Sequence, residues 1–301
     1  MSDQWIGVLG ATSFVGECLF RLILETRRNV LAFSRRSVVS KDPQVVWCNS
    51  GGIPGIRPIL PCNVVHQWIC VAPIWVLPDY FDLMDSLDVR RVVALSSTSR
   101  FTKEQSSDPA EQVAARRLVE GETRLRQWAQ ANDVDWIVLR PTMIYGLGRD
   151  KNLAEVARFI RRFGLFPLFG QANGLRQPIH VQDLAKACMA ALQTPDVVNR
   201  AYNLSGAEIL PYRDMISRVF TALGRPPRMF PVPLAFFRMA VALLHVVPRY
   251  RNWTAAMAER MNRDLVFDHS EAAKDLAFEP RAFLLSSEDV SIGDLEEAVR
   301  E

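Results

Sequence analysis

Residues 8–16, Val-Leu-Gly-Ala-Thr-Ser-Phe-Val-Gly, constrain the fold more than any other stretch of this chain. The apolar run at 5–9 predicts a strand, and the residues after Gly16 predict an amphipathic helix. Gly10 lets the chain leave the strand in a conformation that a Cβ would obstruct. Gly16 lets the helix pack closely on the sheet. Backbone N–H groups at the helix start then face a pyrophosphate, so Gly10, Thr12, Ser13, Phe14, Val15 and Gly16 are the candidate residues around a bound dinucleotide. The general fingerprint puts a third glycine between these two, where this chain has Ser13. A βα turn with a purely structural role is the other reading.

The first half continues this rhythm. Strands are predicted at 5–9, 29–33, 44–48, 67–72, 90–95 and 134–139, and helices at 14–26, 76–86 and 109–131. Alternation of this kind demands a parallel sheet with helices on both faces, because parallel neighbours need crossover connections. The glycine- and proline-rich segment 49–63 reads as an irregular loop. After Gly146 the pattern changes: a helix at 152–164, a strand at 176–181, a helix at 182–193 and a strand near 200–204. Helices follow at 211–223, 233–247, 254–264 and 288–300. Residues 1–145 are thus expected to form a nucleotide-binding core, with 176–204 returning to its sheet. Segments 146–175 and 205–301 are expected to build a substrate-binding lid beyond the carboxyl ends of the strands.

At 301 residues the chain is long enough for one large or two modest domains. A net charge of +3 without a long basic run argues against a nucleic-acid partner. Five scattered cysteines without a Cys-x-x-Cys pair fit neither a disulfide framework nor a zinc site, and nothing else resembles a metal site. A reducing, cytoplasmic setting is expected.

The end of the second strand bears on the choice of dinucleotide. An acidic residue there accepts the ribose 2′-hydroxyl, whereas arginine pairs with a 2′-phosphate. This chain has Ser34-Arg35-Arg36 and no carboxylate. The reading favours NADP over NAD, with a solvated strand end as the bland alternative. Ala72 and Pro73, after the fourth strand, complete the expected cofactor cleft.

Beyond these local readings, the chain resembles the extended short-chain dehydrogenase/reductase superfamily over nearly its whole length. The similarity is to the NAD(P)-dependent epimerase/dehydratase group that acts on nucleotide sugars. It rests on 10–16, Val-Ala-Leu-Ser-Ser-Thr at 93–98 and Leu-Arg-Pro-Thr-Met-Ile-Tyr-Gly at 139–146. Further on it rests on Arg-Gln-Pro-Ile-His-Val-Gln-Asp-Leu-Ala at 176–185, Tyr-Asn-Leu-Ser-Gly at 202–206, and Phe267, Asp268, Leu276, Pro280 and Arg281. The resemblance implies a Rossmann-type, doubly wound α/β sheet with a smaller, mostly helical C-terminal substrate region. It also implies Ser96 and Pro141 beside the cofactor, Thr98 as the catalytic hydroxyl, Arg176 on a substrate phosphate, and a homodimer.

The group's Tyr-x-x-x-Lys pair is missing. Four residues after Tyr80, Tyr145, Tyr202, Tyr212 and Tyr250 come Met84, Arg149, Gly206, Ile216 and Thr254. If Glu122 matches the acidic residue that follows the lysine, the pair falls at Ala114 and Leu118. Two readings stay open. Hydride chemistry with another proton donor makes Tyr145 the nearest candidate, with Arg149 as its electrostatic neighbour. Alternatively the chain is a non-catalytic, NADP-binding redox sensor or accessory subunit. His180 and Asp183 read more simply as structural residues, Asp183 as a helix cap. Finally, 233–248 holds fourteen mostly apolar residues between two prolines, too few to span a bilayer. It reads as a buried lid helix or, flanked by arginines, as a peripheral membrane contact.

Overall fold

Five consecutive apolar residues, Trp5–Leu9, form β1, and hydrogen-bonded neighbours cover both of its edges. The computed structural model describes residues 5–35, 38, 40, 42–49, 60–150, 152–235 and 255–291. Its central sheet holds β1, β2 (Asn29–Ser34), β3 (Val45–Asn49), β4 (Gln67–Cys70), β5 (Arg91–Leu95), β6 (Asp135–Pro141) and β7 (Arg200–Leu204). Their spatial order is β7-β6-β5-β4-β1-β2-β3, and every pair is parallel. The chain steps outward from β1 to β3 and then crosses to β4. The topological switch, and the crevice that accompanies it, therefore lies between β1 and β4.

Burial on both faces explains why β5 is apolar after its first residue, with no alternation. One face packs on helices Phe14–Glu25 and Val181–Gln193, and the other on Pro109–Ala131 and the segment from Ile74 to Ser86. Arg91, buried at the start of β5, donates to the carbonyls of Ala191, Thr194 and Val197 and so caps the end of the Val181–Gln193 helix. A third core gathers helices Leu153–Phe163 and Tyr212–Ala222 with Tyr145, Phe169 and Phe283.

The second half departs from expectation in places. The single strand expected at 176–181 is two short pieces. Leu175–Arg176 pairs antiparallel with Leu210–Pro211, and Ile179–His180 pairs parallel with Ile144–Tyr145. Pro178 lies between them and lacks the N–H that a continuous ladder would need. The helix expected at 76–86 begins as a 3₁₀ turn, Ile74–Tyr80, because Pro78 cannot donate within an α-helix; Phe81–Ser86 then follows. Unforeseen from sequence are the parallel pair Phe166–Phe169 and Met229–Val232 and the helix Ser270–Leu276. Of the helix expected at 233–247, residues from 236 onward lie outside the described residues, as do 292–300 of the helix expected at 288–300. Among the described residues no helix is long and apolar enough to cross a membrane.

Candidate active site

Gly10 sits at φ +84°, and a Cβ there would lie 2.4 Å from the backbone nitrogen of Ala72. The β1–β4 crevice is that narrow because the N–H groups of Val71 and Ala72 both donate to Leu9 O. At Gly16 a Cβ would lie 2.5 Å from the carbonyl oxygens of Gly10 and Ala11, so only glycine lets the helix start against its own turn. Ser13 stands where a third glycine was expected. Its N–H donates to Gly10 O at 2.9 Å, and its Oγ accepts from Gly16 N at 3.1 Å, making it the helix cap. Helix geometry leaves the Phe14 and Val15 N–H groups without an intrahelical acceptor. Thr12 is exposed beside them, Ser13 and Phe14 are half-buried, and Val15 is buried. Ala72 and exposed Pro73 form the facing lip. At the end of β2, Ser34 is buried and Arg35 exposed, whereas Arg36 lies outside the described residues. A pyrophosphate fits this cradle, which a side chain at Gly10 would fill.

A cavity of about 670 Å³ opens where β5 and β6 end. Its floor is Ser96 to Ser99 and Pro141 to Ile144. One wall is apolar (Val156, Phe159, Phe166, Phe169), and the far end carries Lys103, Arg176, Tyr212 and Arg260. The floor is stitched by Ser96 N–H to Leu139 O, Thr98 N–H to Pro141 O and Thr142 N–H to Leu204 O. Thr98 is buried, and its hydroxyl also donates to Pro141 O, at 3.1 Å. With that proton engaged, the threonine oxygen is left with acceptor capacity only.

The other expected site residues are placed as follows. Ser96, on the cavity floor, donates its hydroxyl to Glu122 Oε1, 2.6 Å away. Tyr145 does not reach the cavity. It is 1 % exposed, edge-on to the rings of His180 and Phe283, and its hydroxyl has no hydrogen-bond partner among the described residues. Burial, reinforced by the Asp289 charge, pushes its phenol far above the usual range. A proton donor needs contact with solvent or substrate, and Tyr145 has neither. Tyr145→Phe should leave turnover unchanged and alter stability by no more than about 1 kcal/mol, since the lost hydroxyl bonds to nothing. Urea unfolding and steady-state rates check both. Arg149 pairs with Glu17 on the first helix, not with Tyr145.

Arg176 does line the cavity, but its terminal nitrogens are taken by backbone. Nη1 donates to the carbonyls of Leu175 and Arg263, each at 2.8 Å, and Nη2 donates to that of Arg260. The guanidinium lies over the Tyr212 ring at 5.3 Å, and burial lowers its pKa to about 10. The side chain anchors the 260–265 segment to the cavity wall. Those bonds use three of its five N–H donors, so a substrate phosphate would meet only Nε and the second Nη2 hydrogen. His180 caps the Val181–Gln193 helix through Nδ1 and meets Asp289 at 3.3 Å through Nε2. Asp183 is clasped by Arg281, whose Nε and Nη2 approach it at 2.8–3.1 Å. His180 thus takes the capping place expected of Asp183, which holds Arg281 instead.

Sequence reasoning missed the charge cluster beneath the floor. Glu122 is 1 % exposed on the Pro109–Ala131 helix. It accepts from Ser96, from Arg100, and from Arg140 Nε at 3.1 Å and Nη2 at 2.6 Å. On the same helix, Ala114 is half-buried and Leu118 is buried in the core, so neither carries acid–base chemistry. Lys103 was also missed; it lines the same cavity as Thr98 and pairs with Glu111 at 3.4 Å. Only the ladder that brings 96–98 beside 139–141 reveals these groupings.

Residues 79–205 match the NAD dependent epimerase/dehydratase family. An uncharacterised protein of Sinorhizobium fredii is 26 % identical over 185 residues, covering 60 % of this chain and 44 % of the relative. UDP-glucose 4-epimerase of Vibrio cholerae is 20 % identical over 161 residues, covering 54 % of this chain and 47 % of the relative. The chain thus spans less than half the length of these two relatives. Among solved structures, MoeE5 in complex with UDP-glucuronic acid and NAD superposes with a TM-score of 0.70 at 18 % identity. That match covers 98 % of this chain and 99 % of MoeE5, and it establishes a shared fold.

Proposed function

We propose that this chain, whose residues 79–205 match the NAD dependent epimerase/dehydratase family, exchanges hydride between a bound nicotinamide cofactor and a nucleotide sugar or similar alcohol or ketone. The observation that carries the reading is the position of the cavity. It opens at the carboxyl ends of β5 and β6, on the side of the sheet where the glycine turn of β1 also ends. The backbone N–H groups at Phe14 and Val15 would hold the pyrophosphate. Exposed Arg35, with no carboxylate beside it at the end of β2, favours NADP over NAD.

When bound, the nicotinamide supplies the hydride acceptor or donor. The chain's own residues handle the proton. Thr98 Oγ1 accepts a hydrogen bond from a substrate hydroxyl and fixes its position. The Lys103 ammonium gives a proton to the carbonyl oxygen in the reductive direction and takes it back in the oxidative one. Arg260, already paired with Glu111 beside Lys103, adds positive charge at the same end of the cavity. Purified protein incubated with NADP or NADPH and UDP-sugars tests this through the absorbance of the reduced nicotinamide and the sugar product. Turnover is expected, and Lys103→Met should slow it about 100-fold.

A second reading rests on Ala114 and Leu118, where the family's tyrosine and lysine fall if Glu122 matches the acidic residue that follows them. The chain would then bind NADP as a redox sensor or accessory subunit. Cofactor binding without any redox change across the UDP-sugars would favour it and remove Lys103 from the chemistry.

A further inference from the structure

We propose that the edge formed by the end of the Leu153–Phe163 helix and the Met229–Val232 strand is a docking surface for an anionic phospholipid bilayer. Two segments distant in sequence meet there. Phe166 N–H donates to Arg228 O at 2.9 Å, Phe230 registers opposite Pro167, and Arg225 Nη1 donates to the carbonyls of Ile160 and Arg161. Phe163, Leu165 and Phe230 are 52 %, 37 % and 42 % exposed at this edge, an unusual concentration of large apolar side chains facing water.

The charge within these two segments has one sign. Residues 159–165 and 223–235 contain Arg161, Arg162, Arg225 and Arg228 and no aspartate or glutamate. Arg162 lies over the Phe163 ring at 5.2 Å, and Arg228 is exposed. Aromatic groups set among arginines suit the boundary between acyl chains and anionic head groups, where the rings insert and the guanidinium groups meet phosphate. A protein partner of mixed charge would leave part of this cationic rim unmatched. The face is also continuous with the cavity. Phe163 packs on Phe159 at 4.6 Å and Phe159 on Phe166 at 5.6 Å, and the last two rings line the cavity wall. Docking here would bring that apolar wall to the bilayer surface, within reach of a substrate carrying a lipid tail. The surface itself does not depend on the cofactor or on the chemistry.

Flotation of the full chain with phosphatidylcholine vesicles, with and without phosphatidylglycerol, tests the proposal. Wild type is expected to float with the anionic vesicles alone and to be released by high salt. Arg162→Gln with Arg228→Gln should weaken binding about 30-fold, at about 1 kcal/mol for each arginine near an anionic surface. Phe163→Ser with Phe230→Ser should abolish it. Both pairs should keep the wild-type circular dichroism spectrum, because the side chains replaced are largely on the surface. Unchanged flotation of the variants, or no flotation of wild type, overturns the proposal. So does a wild-type dimer that the Phe163→Ser/Phe230→Ser pair converts to monomer, which would make a second copy the occupant.

Discussion

Gly10→Ala is expected to reduce affinity for a nicotinamide dinucleotide at least 100-fold. The added Cβ would lie 2.4 Å from Ala72 N and 2.9 Å from both Ala72 Cα and Val71 C. All three are backbone atoms, held by the β1–β4 ladder and by two hydrogen bonds to Leu9 O. No rotamer change can relieve the contact, and φ +84° is itself unfavourable for alanine. The turn must therefore shift, carrying the helix start with it. Losing two hydrogen bonds to a charged phosphate costs about 3–6 kcal/mol, which sets the expected loss of affinity. Titration calorimetry at a temperature where circular dichroism shows both proteins folded separates lost binding from lost fold. Equal affinities in folded wild type and variant would remove the glycine turn from cofactor binding.

Glu122→Ala is expected to destabilise the protein by about 3–5 kcal/mol, the cost of stripping the partner from a buried charge. The substitution leaves Arg100 and Arg140 facing each other, each with a side chain only 16 % exposed, and leaves Ser96 without its acceptor. Glu122→Gln retains an acceptor and should cost less. Replacing all three charged residues with apolar side chains of similar size should recover most of the loss, because no buried charge then lacks a partner. Urea midpoints for the four proteins check the ordering. Glu122→Ala within about 1 kcal/mol of wild type would mean that both arginines find water, and that the cluster does not hold the cavity floor.

The parts of the fold that could be read in advance are those in which local signals agree. Trp5–Leu9, Gly10, Ser13 and Gly16 join a strand, a positive-φ turn and a helix cap within a dozen residues. The helix Pro109–Ala131 starts with capping Asp108 and a proline in its first turn, and it was delimited to the residue. Elements defined by partners far along the chain were harder. Phe166–Phe169 is four residues long with a proline inside, and only Met229–Val232, some sixty residues later, makes it a strand. Side-chain roles failed for the same reason. Tyr145 beside a glycine loop looks accessible in sequence, yet His180 and Phe283 enclose it. Arg176 looks like a free hand for phosphate in sequence, yet the carbonyls of Leu175, Arg260 and Arg263 hold three of its five N–H donors. Glu122 was noticed only as a marker for a missing pair. Its own partners, Arg100 and Arg140, come from two other elements.

The bond from Thr142 N–H to Leu204 O has a consequence for synthesis of the chain. Beneath the cavity the last strand of the floor is β7, which leaves the ribosome some sixty residues after β6. Until then β6 presents an open ladder edge, and the 146–175 and 205–235 segments have no finished base to settle on. A nascent chain halted before residue 200 should be sticky and unable to hold ligand in the cavity. The central sheet and the segments beyond it would then mature as one cooperative unit, not as two modules folding in turn.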